Sequence, residues 1–212
     1  MASISVEQAI EMQRHAHKKD ILSAYRKIES KGTFASSKAL RQPPPAGLFI
    51  DGLGDVTMPL SETQARDVKA RCRQAPYGKS SDTIVDTTVR NTWELDASQF
   101  SFRDPKWGHY IQALVQEVAK SMGVVGTIKA EIYKMLVYEE GAMFKPHTDT
   151  EKIPGMFGTL VIALPSPHQG GDVVVKHCGQ TMTFKTSEHP QSFVCWYSDV
   201  SHEVLPVTSG YR

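Results

Sequence analysis

Two histidines, a carboxylate and an arginine in the C-terminal half of the chain carry the side chains best suited to chemistry. His147 and Asp149 form a His-x-Asp string, and His202 follows the run Trp196-Tyr197-Ser198-Asp199. Two imidazoles and one carboxylate can hold a ferrous ion on one face and leave the opposite face open. Arg212, further along the chain, is of the type that binds the far carboxylate of an organic acid held by such a metal. The set predicts an iron centre with an organic-acid co-substrate.

The local sequence indicates how these side chains could meet. Alternate residues of an extended segment face the same side, so His147 and Asp149 project together while Thr148 points away. His202 begins the apparent strand HEVLPV and can therefore approach the other two from a neighbouring strand of the same sheet.

The chain changes character near residue 127. After this point, short β-branched or aromatic runs are separated by turns rich in Gly, Pro and Ser, which predicts an antiparallel sandwich or barrel. Before it, three helices are predicted from capping signals. The signals are a Ser5–Gln8 capping box with an end near Gly32, a Ser61–Gln64 capping box with an end near Gln74, and Asp104-Pro105 with a stop at Gly123. The Pro-rich stretch 31–46 is predicted to be a linker.

Composition excludes several classes of partner. Lys plus Arg is 24 and Asp plus Glu is 23, without a basic stripe, so we expect no nucleic-acid partner. No stretch reaches the roughly 20 apolar residues that span a bilayer, so no membrane association is expected. The three cysteines have no metal-site spacing and fit a reducing compartment. With no apolar signal segment at the start, the cytoplasm or the nucleus is the expected location.

Three motifs stand in the C-terminal half of the chain: Leu136–Gly141 with Phe144–Asp149, a Gly-Gly bend at Gly170–Asp172, and Trp196–Val204. Through them the chain, from about residue 128 to its end, resembles the 2-oxoglutarate and Fe(II)-dependent dioxygenases, in particular their prolyl 4-hydroxylase-like branch. The whole chain, including Asp86–Trp93, is also similar to uncharacterised fungal proteins of this superfamily.

The resemblance implies an α+β fold with a double-stranded β-helix core, of the jelly-roll or cupin-like type, and N-terminal helices packed on one sheet. We expect an N-terminal helix and Pro-rich linker over 1–46 and a dioxygenase domain over 47–212. Within that domain, 47–127 is the expected helical support and 128–212 the expected β-helix core.

The resemblance also implies a role for each candidate residue. His147, Asp149 and His202 match the catalytic metal triad, Arg212 matches the residue that binds the distal carboxylate of 2-oxoglutarate, and Tyr138 matches a tyrosine whose hydroxyl contacts the co-substrate. The alternative for Tyr138 is a packing aromatic, since strands favour Tyr.

The implied cofactors are Fe(II) and 2-oxoglutarate, with ascorbate to keep the iron reduced. Dioxygen is the second co-substrate. The expected reaction hydroxylates a C–H bond of a protein proline, another peptidyl residue or a small molecule, and releases succinate and CO2.

Two departures from the family pattern keep alternatives open. Ala163 stands where a second co-substrate tyrosine is expected, which leaves Thr159 as a candidate partner for Arg212. The pattern also places another strand beyond Arg212, and the absence of that strand would leave a sheet edge and loosen the arginine. A β-helix module that binds or senses without catalysis is one alternative. A cupin-like zinc or manganese protein is another.

Overall fold

The computed structural model describes residues 5–29, 31–79 and 82–212, so residues 1–4 and 30 of the predicted N-terminal segment lie outside the described residues, as do 80 and 81 of the predicted domain. Among the described residues, none of the helices combines the length and apolarity that crossing a bilayer requires.

The helices are α1 (Val6–Arg26), α2 (Glu62–Lys69) and α3 (Pro105–Met122), with short 3-10 turns at Ala97–Gln99 and Thr186–Glu188. The strands are β1 (Ala35–Ala39), β2 (Leu48–Ile50), β3 (Gly54–Asp55), β4 (Arg73–Gln74), β5 (Tyr77–Lys79), β6 (Asp82–Ile84), β7 (Arg90–Asn91), β8 (Trp93–Asp96), β9 (Phe100–Phe102), β10 (Lys134–Val137), β11 (Met143–His147), β12 (Gly158–Ala163), β13 (His168–Gly170), β14 (Val173–His177), β15 (Gln180–Phe184), β16 (Ser192–Tyr197), β17 (Ser201–Val204) and β18 (Val207–Gly210).

The chain divides into two compact units, Met1–Gly32 and Thr33–Arg212. The described part of the first unit is dominated by α1. Its predicted capping box is present, because the Ser5 hydroxyl accepts from the Gln8 amide and the Gln8 side chain accepts from the Ser5 amide. Helix α1 has no buried residue, so its helical state rests on local interactions.

Two antiparallel sheets face each other in the second unit. One has five strands in the order β15-β14-β17-β11-β7, and the other has three in the order β1-β16-β12. Val173 and Val175 of the first sheet pack against Val194 and Trp196 of the second in one buried cluster. The fold is therefore α+β with an antiparallel two-sheet jelly-roll core, as expected from the sequence.

Helix α3 covers the outer side of the three-stranded sheet. Its predicted boundaries are correct, since Asp104 caps the N-terminus, Pro105 begins the helix and Gly123 ends it in a left-handed conformation. The apolar side of the helix, including Leu114 and Val118, packs against Phe193 and Cys195 of β16. This packing holds β16, the strand that carries Trp196, between the helix and the other sheet.

Strand β1 corrects the predicted linker. Ala35–Ala39 pairs along its whole length with β16, so the core takes an edge strand from the segment that was predicted to be N-terminal linker. The segment Ala-Ser-Ser-Lys-Ala lacks a β-branched or aromatic pattern, and its strand state comes from pairing with an apolar neighbour.

The support region 47–127 also differs from the prediction. Helix α2 ends at Lys69 instead of near Gln74, and Arg73–Gln74 forms β4 beside β8. Besides α2 and α3, the region contains the short strands β2 to β9. It is a mixed helical and β layer rather than a purely helical one.

Candidate metal centre

Strand pairing brings the three predicted metal ligands together. His147 is the last residue of β11 and lies opposite His202 of β17, with the two ring centroids 4.1 Å apart. Asp149 lies beyond the end of β11, where its amide donates to the Ser198 main-chain oxygen at 3.1 Å. One ligand atom from each of the three residues lies within 4.8 Å of the others.

Main-chain carbonyls determine the tautomer of both histidines. Nδ1 of His147 lies 2.8 Å from the Lys145 oxygen, and Nδ1 of His202 lies 3.0 Å from the Val200 oxygen. A carbonyl oxygen can only accept, so each Nδ1 carries the proton and donates. Each Nε2 therefore keeps its lone pair free, which is the form a metal ligand needs.

The Asp149 carboxylate is oriented through one of its two oxygens. Its Oδ2 accepts from the Thr159 hydroxyl at 2.7 Å and from the Trp196 indole nitrogen at 3.1 Å. Its Oδ1 lies 3.7 Å from Nε2 of His202 and makes no hydrogen bond within the described part of the chain. Oδ1 is therefore the oxygen available to a cation. The bond from Thr159 also shows that its hydroxyl serves Asp149, so its prediction as a partner of Arg212 is wrong.

Aromatic rings and burial surround the two imidazoles. Burial, together with the neighbouring His202, lowers the pKa of His147 to about 4. The Phe144 ring stacks on His147 at 3.5 Å, and the Trp196 ring lies 4.4 Å from His202. Two imidazole nitrogens and one carboxylate oxygen fit a divalent iron that keeps open positions for other ligands.

Arg212 is firmly held by the main chain, and the loosening that a missing strand would cause is not observed. Its amide donates to the Tyr138 oxygen at 2.8 Å, and the Tyr138 amide donates back to the Arg212 oxygen at 2.7 Å. Just before it, β18 pairs with β13. The strand that positions the arginine therefore precedes it in the chain.

The Arg212 side chain is a half-buried cation that forms no ion pair with the described residues, although the charge of Asp172 acts on it from further away. Burial lowers the pKa of its guanidinium, and no carboxylate of the described residues lies within ion-pairing distance of it. Its Nε donates to the Thr186 hydroxyl at 3.0 Å, and its terminal carbon lies 5.3 Å from the Tyr138 ring centroid. A desolvated cation of this kind favours an anionic ligand.

Tyr138 packs as a core aromatic and also borders the cleft. It is buried in a cluster with Ala142 and Val207, which agrees with the packing alternative. Its hydroxyl makes no hydrogen bond to the described residues, so it remains available to a ligand.

One open cleft of about 1680 Å³ is bordered by the three candidate metal ligands, Tyr138 and Arg212. Small-molecule sites usually measure roughly 300–1,000 Å³. The cleft therefore has room for a co-substrate between the histidines and the arginine, and for part of a second molecule.

Two polar residues of this region were not predicted from the sequence. Thr186 is almost fully buried and bonds Arg212, while Nε2 of His168 lies 3.2 Å from the same hydroxyl. Ala163, at the position where a second tyrosine was expected, ends β12 and brings no hydroxyl. Thr186 and His168 do not belong to a recognisable motif. Only their closeness to Arg212 in the folded chain identifies them.

Residues 133–212 match the model of the 2OG-Fe(II) oxygenase superfamily. Comparison with curated proteins finds no significant match. Among solved structures, the chain is similar to a prolyl-4-hydroxylase of Pseudomonas putida (18% identity, 84% of this chain and 89% of that one, TM-score 0.49). It is also similar to a Trichoplax adhaerens prolyl hydroxylase, solved in complex with a peptide of the hypoxia inducible factor oxygen degradation domain (14% identity, 78% and 80%, TM-score 0.49). A third similar structure is a 2OG-Fe(II) oxygenase family oxidoreductase of Burkholderia pseudomallei (16% identity, 71% and 74%, TM-score 0.40).

The family match covers β11, β17 and β18, the strands on which the triad and the arginine depend. The matched residues 133–212 are similar to the 2OG-Fe(II) oxygenase superfamily, and they include His147, Asp149, His202 and Arg212.

Proposed function

We propose that the protein is a prolyl 4-hydroxylase-like dioxygenase that hydroxylates a C–H bond of a peptidyl or small-molecule substrate. The observation that carries the proposal is the pairing of two kinds of site in one cleft. His147, Asp149 and His202 present free ligand atoms to one point, and Arg212 presents to the same cleft a guanidinium that forms no ion pair with the described residues.

In this proposal, His147 and His202 bind iron through Nε2 and Asp149 binds it through Oδ1. The hydrogen bonds on Nδ1 and Oδ2 hold these ligand atoms in place before metal arrives. Bound Fe(II) would supply the activation of dioxygen, in which oxidation of 2-oxoglutarate to succinate and CO2 is coupled to hydroxylation of the substrate. No protein nucleophile is required, and the residues around the metal orient the reactants and exclude water.

Arg212 and Tyr138 are proposed to bind the co-substrate at its other end. A guanidinium stays charged even when burial lowers its pKa, and it grips a carboxylate through two parallel hydrogen bonds. The Tyr138 hydroxyl lies free on the border of the same cleft and would donate to the co-substrate. Their main-chain bonds to each other make the two side chains a single anchored pair.

The binding-module alternative loses part of its support. It rested on the missing second tyrosine and on the further strand expected beyond Arg212, but Arg212 is bonded to Tyr138 through both main-chain groups. No observation specifically favours a site without catalysis.

The test is release of succinate by purified protein with Fe(II), ascorbate and 2-oxoglutarate. His147→Ala and His202→Ala should abolish it, because each removes a metal ligand. His189→Ala is the matched control, since His189 is an exposed loop histidine and its loss should change nothing. Arg212→Ala should raise the 2-oxoglutarate concentration needed for half-maximal rate severalfold. Turnover that survives His147→Ala would exclude the proposed centre.

A further inference from the structure

We infer that His168 and Thr186 are positioning residues for Arg212, forming a hydrogen-bond chain that turns the terminal guanidinium nitrogens toward the distal carboxylate of the co-substrate. The inference rests on the proposed function and extends it to residues that have no assigned role. Ala163 stands where a second tyrosine was expected and has no hydroxyl. The hydroxyl that bonds Arg212 comes instead from Thr186, in another element.

The chain of hydrogen bonds has only one consistent direction. Nδ1 of His168 lies 2.7 Å from the Ser166 main-chain oxygen, which can only accept, so Nδ1 donates and Nε2 is an acceptor. The Thr186 hydroxyl, 3.2 Å from that Nε2, must then donate to it. The same hydroxyl oxygen accepts from Nε of Arg212 at 3.0 Å. The Ser166 carbonyl and the Arg212 guanidinium therefore determine which atom of His168 and of Thr186 donates in each bond.

The bond to Thr186 determines which donors of Arg212 remain. Nε is occupied, whereas Nη1 and Nη2 have no hydrogen-bond partner among the described residues. These two nitrogens form the forked edge that binds a carboxylate in a bidentate manner. Because Thr186 is only 2% exposed, water cannot readily compete for its bond to Nε.

Main-chain contacts hold His168 and Arg212, the two ends of the hydrogen-bond chain, close together. The Ser166 hydroxyl donates to the Tyr211 oxygen, and His168 lies opposite Gly210 in the β13–β18 pair. Gly171 lets the arginine stem pass, since a Cβ at this glycine would lie 2.8 Å from Cδ of Arg212. The segment that bears His168 is therefore bonded to the segment that bears Arg212. This limits the movement of His168 relative to Arg212.

A purely structural role for the pair makes a different prediction from a positioning role. If the two residues merely stabilised the fold, their loss would weaken every ligand of the cleft alike. If they orient Arg212, their loss should weaken only ligands that carry a distal carboxylate. 2-Oxoglutarate carries that group and pyruvate lacks it, while both share the oxo-acid end.

The experiment measures binding of 2-oxoglutarate and of pyruvate to the full chain loaded with Mn(II), by solvent-proton relaxation. Thr186→Val and His168→Leu should each raise the dissociation constant for 2-oxoglutarate about 3- to 10-fold, the effect of freeing one oriented side chain, and leave that for pyruvate within twofold. Thr186→Ser and His168→Gln keep a hydroxyl and an acceptor, and should restore the wild-type value. His189→Leu is the surface control, and thermal denaturation verifies that each variant is folded.

The possible outcomes separate this inference from the proposed function. Unchanged 2-oxoglutarate binding in Thr186→Val, or equal weakening of both probes, would overturn the inference while the proposed function stands. Failure of the wild-type Mn(II) protein to bind 2-oxoglutarate would overturn the proposed function and this inference with it. A selective loss for 2-oxoglutarate, reversed in Thr186→Ser, supports the positioning role.

Discussion

Thr159→Val tests whether the orientation of Asp149 contributes to metal affinity. Thr159 and Trp196 lie opposite each other in the β12–β16 pair, and both donate to Oδ2 of Asp149. Valine has nearly the shape of threonine, so the variant removes the 2.7 Å bond and little else. Trp196→Phe removes the second donor and keeps most of the ring.

The magnitude follows from when the hydrogen bond exists. The bond is already present without metal, so its energy largely cancels between the free and the loaded protein. In Thr159→Val, the Asp149 carboxylate is no longer held in place before metal binds. Metal binding must then immobilise it, which costs about 0.5–1.5 kcal/mol for one side chain. This corresponds to a loss of metal affinity of about 2- to 12-fold, since 1.4 kcal/mol is tenfold. The metal-free protein should lose about 1.5–3 kcal/mol of stability, because a hydrogen bond to a charged group is removed.

The assay is competition for Fe(II) or Mn(II) against a chelator of known affinity, with urea unfolding of the metal-free protein beside it. Thr183→Val is the matched control, because Thr183 is an exposed strand residue away from the triad. A metal affinity equal to that of the wild type would refute the view that Oδ2 orients the ligand. A loss far above about 100-fold would exceed the usual effect of a supporting hydrogen bond and would mean that the substitution disrupts the site itself.

Three further predictions follow from the same structure. Gly171→Ala should lower the 2-oxoglutarate affinity of the metal-loaded protein severalfold in a binding titration, because a Cβ there would collide with the Arg212 stem and because φ at this residue is +67°. A thiol reagent should label only Cys178 in the native protein and all three cysteines in denaturant, since Cys178 is exposed and burial raises the pKa of the other two to about 11. Acidification of the metal-free protein from about pH 7 to pH 5 should lower its unfolding free energy, measured with urea. The pKa values of His147 and His168 are held below the ordinary 6.5, to about 4 for His147, so the unfolded chain binds protons first and stability is lost as pH falls through 6.5.

Two of the three triad residues could be predicted from their local spacing, and the third from the composition of its strand. His147 and Asp149 are two residues apart on one extended segment, and His202 begins a strand of recognisable composition. Strand β1 could not be predicted, because its five residues acquire their conformation from β16, which lies far away in the sequence. The same reason applies to Thr186, which lies 26 residues from Arg212 and meets it only after β13 and β18 pair.

The two departures from the family pattern had different outcomes. Ala163 does lack a hydroxyl, as the sequence states, but the sequence could not indicate that Thr186 lies beside the arginine. Arg212 is held by segments that precede it, which the family's order of strands along the chain did not predict. The main-chain bonds of Arg212 to Tyr138 depend on which segments become neighbours, and a single sequence carries no direct signal for that.

The contacts between Nδ1 and a carbonyl two residues earlier recur at three histidines, His147, His168 and His202. Each bond closes within its own stretch of chain, so the ring can take its final tautomer before any partner strand has docked. A metal ion that reaches the folded protein therefore meets imidazoles that need no proton rearrangement. With the pKa of His147 at about 4, metal uptake near neutral pH should release no proton from that residue, and the measured heat should carry no contribution from its ionisation in buffers of different ionisation enthalpy.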